Sequence, residues 1–154
     1  MKTTTKKRIL FIIICAVTLA IWGMSLLNSN VSLKQSEIIV EPMMDQITSS
    51  GDILSRFPTP GNWTDFFTRL IRKSAHFLEF ALLGMLWGGY SRLKKLRLPW
   101  LYGLVVAAID ETIQYFVPGR CPGVWDVVLD YAGYLFGFGL VVLFATWIRK
   151  KTKK

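Results

Sequence analysis

Four long apolar blocks, at about 9–27, 74–91, 98–117 and 124–148, take up about half of this 154-residue chain. A helix needs about 20 apolar residues to cross the roughly 30 Å hydrocarbon layer of a bilayer, and each block comes close to that length. The blocks concentrate apolar residues instead of spreading them over short amphipathic elements. Mean hydropathy is +0.38 and 52% of residues are hydrophobic. These features predict an all-α membrane protein, a bundle of four transmembrane helices forming one domain over 1–154. The second and third blocks carry charge near one end, which makes them the weaker pair.

Charge placement predicts the topology. The chain has 19 Lys and Arg against 10 Asp and Glu, a net charge of +9. Thirteen of the basic residues fall in three segments: Lys2 to Arg8, Arg92 to Arg97, and Arg149 to Lys154. No acid lies in any of the three. Basic residues in short loops mark the cytoplasmic side of a membrane protein, and an in–out path through four helices satisfies all three segments at once. Both termini are then cytoplasmic. The basic excess reads as a topology signal and not as a nucleic-acid surface.

The first block has the basic flank of a signal peptide, but its apolar run exceeds the usual 7–15 residues and no small-x-small cleavage site follows. It is read as an uncleaved first helix, with Trp22 as an interfacial anchor. Residues 28–71 form the one long loop, on the extracytoplasmic side, with turn signals at Ser49-Ser50-Gly51-Asp52 and Pro58-Thr59-Pro60-Gly61. Within it Trp63, Phe66, Phe67 and Leu70 recur at roughly helical spacing. They fit either an amphipathic segment on the membrane surface or a partly ordered loop. Cys15 and Cys121 sit at depths about half a bilayer apart, too far for a disulfide.

The chemistry concentrates at the outer ends of the last three blocks. Arg72, His76 and Glu79 are spaced i, i+4 and i+7 and share one helix face, with Lys73 beside them. Asp110 and Glu111 end the third apolar run, with Gln114 one turn on. Pro118-Gly119 breaks that helix, Arg120 lies in the short outer loop, and Asp126, Asp130, Gly133 and Gly137 form one stripe on the fourth. Gly84 and Gly88 add a GxxxG pattern that permits close helix contact. Counting turns from the helix ends puts all the charged groups at similar depth. Charges at membrane depth usually face a bundle interior or a wet cavity and count as site candidates. Three carboxylates plus His76 could hold a divalent ion, but the spacing matches no metal motif, so neither a metal nor a cofactor is assigned.

R-K-S-A-H-F-L-E-F-A-L-L-G from Arg72, D-E-T-I-Q-Y-F-V-P-G-R from Asp110 and D-V-V-L-D-Y-A-G from Asp126 together resemble the VanZ-like family of small bacterial membrane proteins. The resemblance covers roughly residues 9–148. It implies a multi-pass protein of the bacterial cytoplasmic membrane, and a founding member associated with resistance to the glycopeptide teicoplanin. The chain departs from the family in carrying Asp130 where Asn is usual, and Phe80 where some members have Tyr.

The expected function is a cell-envelope role related to glycopeptide resistance. Arg72, Lys73, Glu79, Asp110, Gln114, Arg120, Asp126 and Asp130 would bind an envelope lipid, a cell-wall precursor or a lipoglycopeptide at the outer leaflet. The cations suit a phosphate or carboxylate. The alternative is a membrane enzyme acting on an envelope lipid with His76 and Glu111 as acid–base groups. A third reading makes the charged network purely structural.

Overall fold

A computed structural model describes residues 2–26, 34, 38–43, 45–46, 63–94, 98–118, 120 and 123–152. The turn signals at 49–52 and 58–61, the turn at 95–97, Gly119 and Cys121 lie outside the described residues. Four helices organise the rest: α1 (Lys2–Ser25), α2 (Trp63–Lys94), α3 (Pro99–Tyr115) and α4 (Val124–Lys151). No strand occurs among the described residues.

Local sequence accounts for the helix ends. Pro99 opens α3, where its missing N–H costs nothing, and Pro118 helps to end the segment by pushing Val117 out of helical conformation. Extended Gly123 precedes α4, Asp126 sits in its first turn, and Arg149, Lys150 and Lys151 fill its last. That charge order complements the helix dipole at both ends.

The helices differ from the sequence expectation most at the start of α2. The loop was expected to run to 71, yet residues 63–71 are the first turns of a continuous 32-residue helix. Between Trp63 and Arg72 no Pro or Gly interrupts the chain, so nothing stops the helix at Arg72-Lys73. A charge pair marks where a helix becomes solvated, not where it ends. Trp63 stacks on Phe67 at 5.9 Å and meets Phe66 edge-on, which ties this first turn together. Inside the expected loop, residues 38–43 are helical and Val40 is buried. At the other boundaries α1 starts before residue 9, and α3 stops at Tyr115 with a turn through Phe116 and Pro118.

The tightest seam lies between α2 and α4. A Cβ on Gly84 would land on the Tyr134 carbonyl, one on Gly133 on the Phe77 carbonyl, and one on Gly137 on the Ala81 carbonyl. The two glycine patterns therefore face each other and let the backbones meet. Beside this seam Phe80, Leu83 and Trp87 pack with Val106, Ala107 and Tyr134, and Ile14 and Ile21 of α1 close the core. Tyr134 donates to the Pro99 carbonyl at 2.7 Å, and the hydroxyls of Thr18 and Tyr102 bond at 2.8 Å. Trp22, expected as an interfacial anchor, turns its indole N–H inward to the Val106 carbonyl at 3.4 Å.

The outside of the bundle is apolar. Ile12, Leu19, Leu78, Leu143 and Phe144 are 63 to 67% exposed. Two helices, over Thr4–Ser25 and Val124–Lys151, are long and apolar enough to cross a membrane, and only 22% of the most apolar window of each is buried. A core helix of a soluble domain hides most of its apolar surface. These helices do the opposite, as lipid-facing helices do.

Candidate functional site

The polar site forms where the C-terminal ends of α1 and α3 meet the first turns of α4, against the middle of α2. Asp110 is fully buried there. Ser25, the last residue of α1, donates to its Oδ1 at 2.6 Å, and Gln114 donates to its Oδ2 at 2.8 Å. Both donors are neutral, so they orient the carboxylate without cancelling its charge. The Gln114 oxygen in turn accepts from Arg120 at 3.3 Å. Burial, and after it the nearby Arg72, lower the Arg120 pKa, while Asp110 and Glu111 pull it back up. The guanidinium stays charged through all of this.

A crevice of about 20 Å³ opens beside this network. Arg72, Lys73 and His76 from α2 form one wall, Asp126 and Asp130 from α4 another, with Gln114 and Arg120 closing it. Gln114 meets Asp110 across one helical turn, and Arg120 reaches Gln114 from the loop. Lys73 reaches Asp126 at 2.6 Å in a half-exposed ion pair. Asp130 is 2% exposed. One ligating atom each of His76, Asp110 and Asp130 lies within 4.8 Å of the other two.

Two expected residues stand apart from the crevice. Glu79 lies one turn further along α2, its Oε2 4.0 Å from the His76 Nδ1, beyond hydrogen-bonding distance. Glu111 points to the other side of α3, where its Oε1 accepts the Gly123 backbone N–H. Its Oε2 is buried without a hydrogen-bond partner. It borders a separate groove of about 450 Å³ between α3 and α4, with Ala108, Phe116 and Val127. Adjacent residues on a helix point about 100° apart, so Asp110 and Glu111 serve different openings.

Ser25 was not expected in the site. Its signal is a stripe on α1: Ile14, Thr18, Ile21 and Ser25 are buried at spacings of 4, 3 and 4. In a helix otherwise apolar on every side, two hydroxyls on one stripe point to the face that meets protein.

A helical bundle with a lipid-type exterior and buried charge at one end defines a membrane protein with a polar site near its surface. A family model described as VanZ/LLP1 matches residues 9–145, and the chain belongs to that family. Membership agrees with a membrane location and carries the family's link to glycopeptide resistance. No curated protein and no solved structure matches the chain.

Proposed function

We propose that the chain crosses the bacterial cytoplasmic membrane four times with both termini inside, as a single VanZ-like domain over 1–154. Its crevice faces the outer leaflet and binds the phosphate or carboxylate of an envelope lipid, a cell-wall precursor or a lipoglycopeptide. The observation that carries this reading is the convergence of Arg72, Lys73 and Arg120 with buried carboxylates on one crevice. At the same end of the bundle Tyr115, Phe116 and Trp125 are each more than 70% exposed. Aromatic residues of this kind favour the membrane–water boundary. The opposite ends of the helices carry Lys6, Lys7 and Arg8 on α1, Arg92 on α2 and Arg149 to Lys151 on α4. One basic end and one mixed polar end is the arrangement the four-span topology requires. α3 is the shortest span at 17 residues, about 26 Å.

The crevice admits only a group of about water size. A headgroup would therefore insert one anionic group and rest the remainder on the rim. The test is teicoplanin susceptibility in a host expressing the native chain or Arg120→Ala, with membrane abundance measured alongside. Protection by the native chain that disappears in a normally abundant Arg120→Ala variant supports the reading. Equal protection by both sinks it.

An enzymatic reading draws on His76, which borders the crevice with a buried, unpartnered Nδ1. Binding is preferred because Glu111, the second acid–base candidate, opens onto the other groove. Loss of activity toward an envelope lipid in a normally folded Glu111→Gln variant would restore the enzymatic reading.

A further inference from the structure

Beside the crevice lie two buried carboxylates, Asp110 and Asp130, with no hydrogen bond to a cation among the described residues. Asp110 accepts from the neutral Ser25 and Gln114 only. Asp130 is 2% exposed, and no hydrogen bond or ion pair joins it to a described residue. His76 adds an imidazole whose buried Nδ1 has no hydrogen-bond partner. Two acids removed from water at this separation repel strongly unless a proton or a cation lies between them. The third member is an imidazole, the commonest side-chain ligand for a metal.

We propose that His76, Asp110 and Asp130 bind one divalent cation of the zinc and manganese class. Three protein ligands plus an open position is the usual arrangement of a non-structural zinc site, with bonds of about 2.0–2.2 Å. Such bonds set donor atoms roughly 3.3 Å apart by tetrahedral geometry. The three donor atoms, all within 4.8 Å of one another, reach that spacing by side-chain rotation of at most about 1.5 Å. A mixture of one imidazole and two carboxylates favours zinc or manganese over calcium or a thiolate-seeking ion.

The surroundings match what metal ligands need. Ser25 and Gln114 each occupy one position on an Asp110 oxygen and leave lone pairs free. Ligating carboxylates are held in this way by neutral donors. With Nε2 on the ion, the His76 Nδ1–H faces Glu79 Oε2, 4.0 Å away. A small movement that closes this gap would complete the carboxylate–imidazole–metal order of known sites. The adjoining 20 Å³ crevice supplies room for one water on the ion.

This proposal goes beyond the anion-binding reading, and the two are tested separately. The full chain, free of any histidine tag, is stripped with chelator in detergent and equilibrated with micromolar Zn²⁺ or Mn²⁺. Bound metal is then counted by mass spectrometry. The native chain and Asp126→Asn are expected to retain about one ion per chain. His76→Gln and Asp130→Asn are expected to retain less than a tenth of that, and Glu79→Gln to bind at least tenfold more weakly. A native chain that retains no ion overturns the proposal, as does an Asp130→Asn chain that binds like the native one. Misfolding is controlled by a gain of signal: Asp130→Cys with Cd²⁺ should show a thiolate-to-cadmium absorption band. That band should be absent from the native chain and from Asp130→Cys combined with His76→Gln, and its absence from Asp130→Cys also overturns the proposal. An Arg120→Ala chain that keeps both the ion and full teicoplanin protection counts against the anion reading alone.

Discussion

The α2–α4 pair is built in two contrasting ways along its length. In its apolar part, glycines bring the backbones together, and carbonyls occupy the space where Cβ atoms would stand. Toward its polar end, the same two helices instead place His76 and Asp130 beside a crevice. Membrane helices gain little from hydrophobic burial against one another, since lipid is equally apolar, so close packing holds them together. The glycine seam is therefore where stability resides. The charged end contributes little or works against it, because buried ion groups seldom repay their desolvation. A site that works against its own fold is kept for another reason.

Substitutions separate the two regions. Gly137→Leu should cost the most, about 3 kcal/mol or more, because the new side chain must displace the Ala81 backbone. Membrane abundance and thermal melting in detergent report it, and native values for both would mean that the seam is not what holds the bundle. Tyr134→Phe removes the donor to Pro99 but keeps the ring, for a loss of about 1 kcal/mol by melting. Asp130→Asn should change melting by less than about 1 kcal/mol, or raise it, since it removes a buried charge. Teicoplanin protection should persist, since the change removes a negative charge beside an anion site. A large loss of stability in this variant would assign the polar end to scaffolding and erase the contrast. Lys73→Ala should matter least, by a few tenths of a kcal/mol, because its direct ion pair with Asp126 is half exposed to solvent.

The legible parts of the sequence were those governed by one helix at a time. Hydropathy located α1 and α4, and helical spacing put Gln114 within reach of either Asp110 or Glu111. The glycine stripes at 84–88 and 133–137 pointed to close packing, though not to each other. The early start of α2 was hidden because Arg72 and Lys73 read as a membrane boundary and a boundary was taken for an end. The choice between Asp110 and Glu111 was beyond sequence for a different reason. Neighbouring residues differ by one step around the helix, and only the positions of α1 and α4 decide which side faces His76. Ser25 was missed because its partner lies 85 residues away, and a single hydroxyl in an apolar run carries no marker of that distance.

The Ser25–Asp110 bond also has a consequence for how the protein is made. A ribosome adding about 5–20 residues per second delivers Asp110 roughly 4–17 s after Ser25. The early-arriving partner is a neutral hydroxyl, which a lone helix can satisfy on its own backbone at little cost. The acids, which a lone helix in lipid could not tolerate, emerge last, when their receivers are already inserted. The order of translation thus gives Asp110 a waiting hydrogen-bond donor as it enters the bundle.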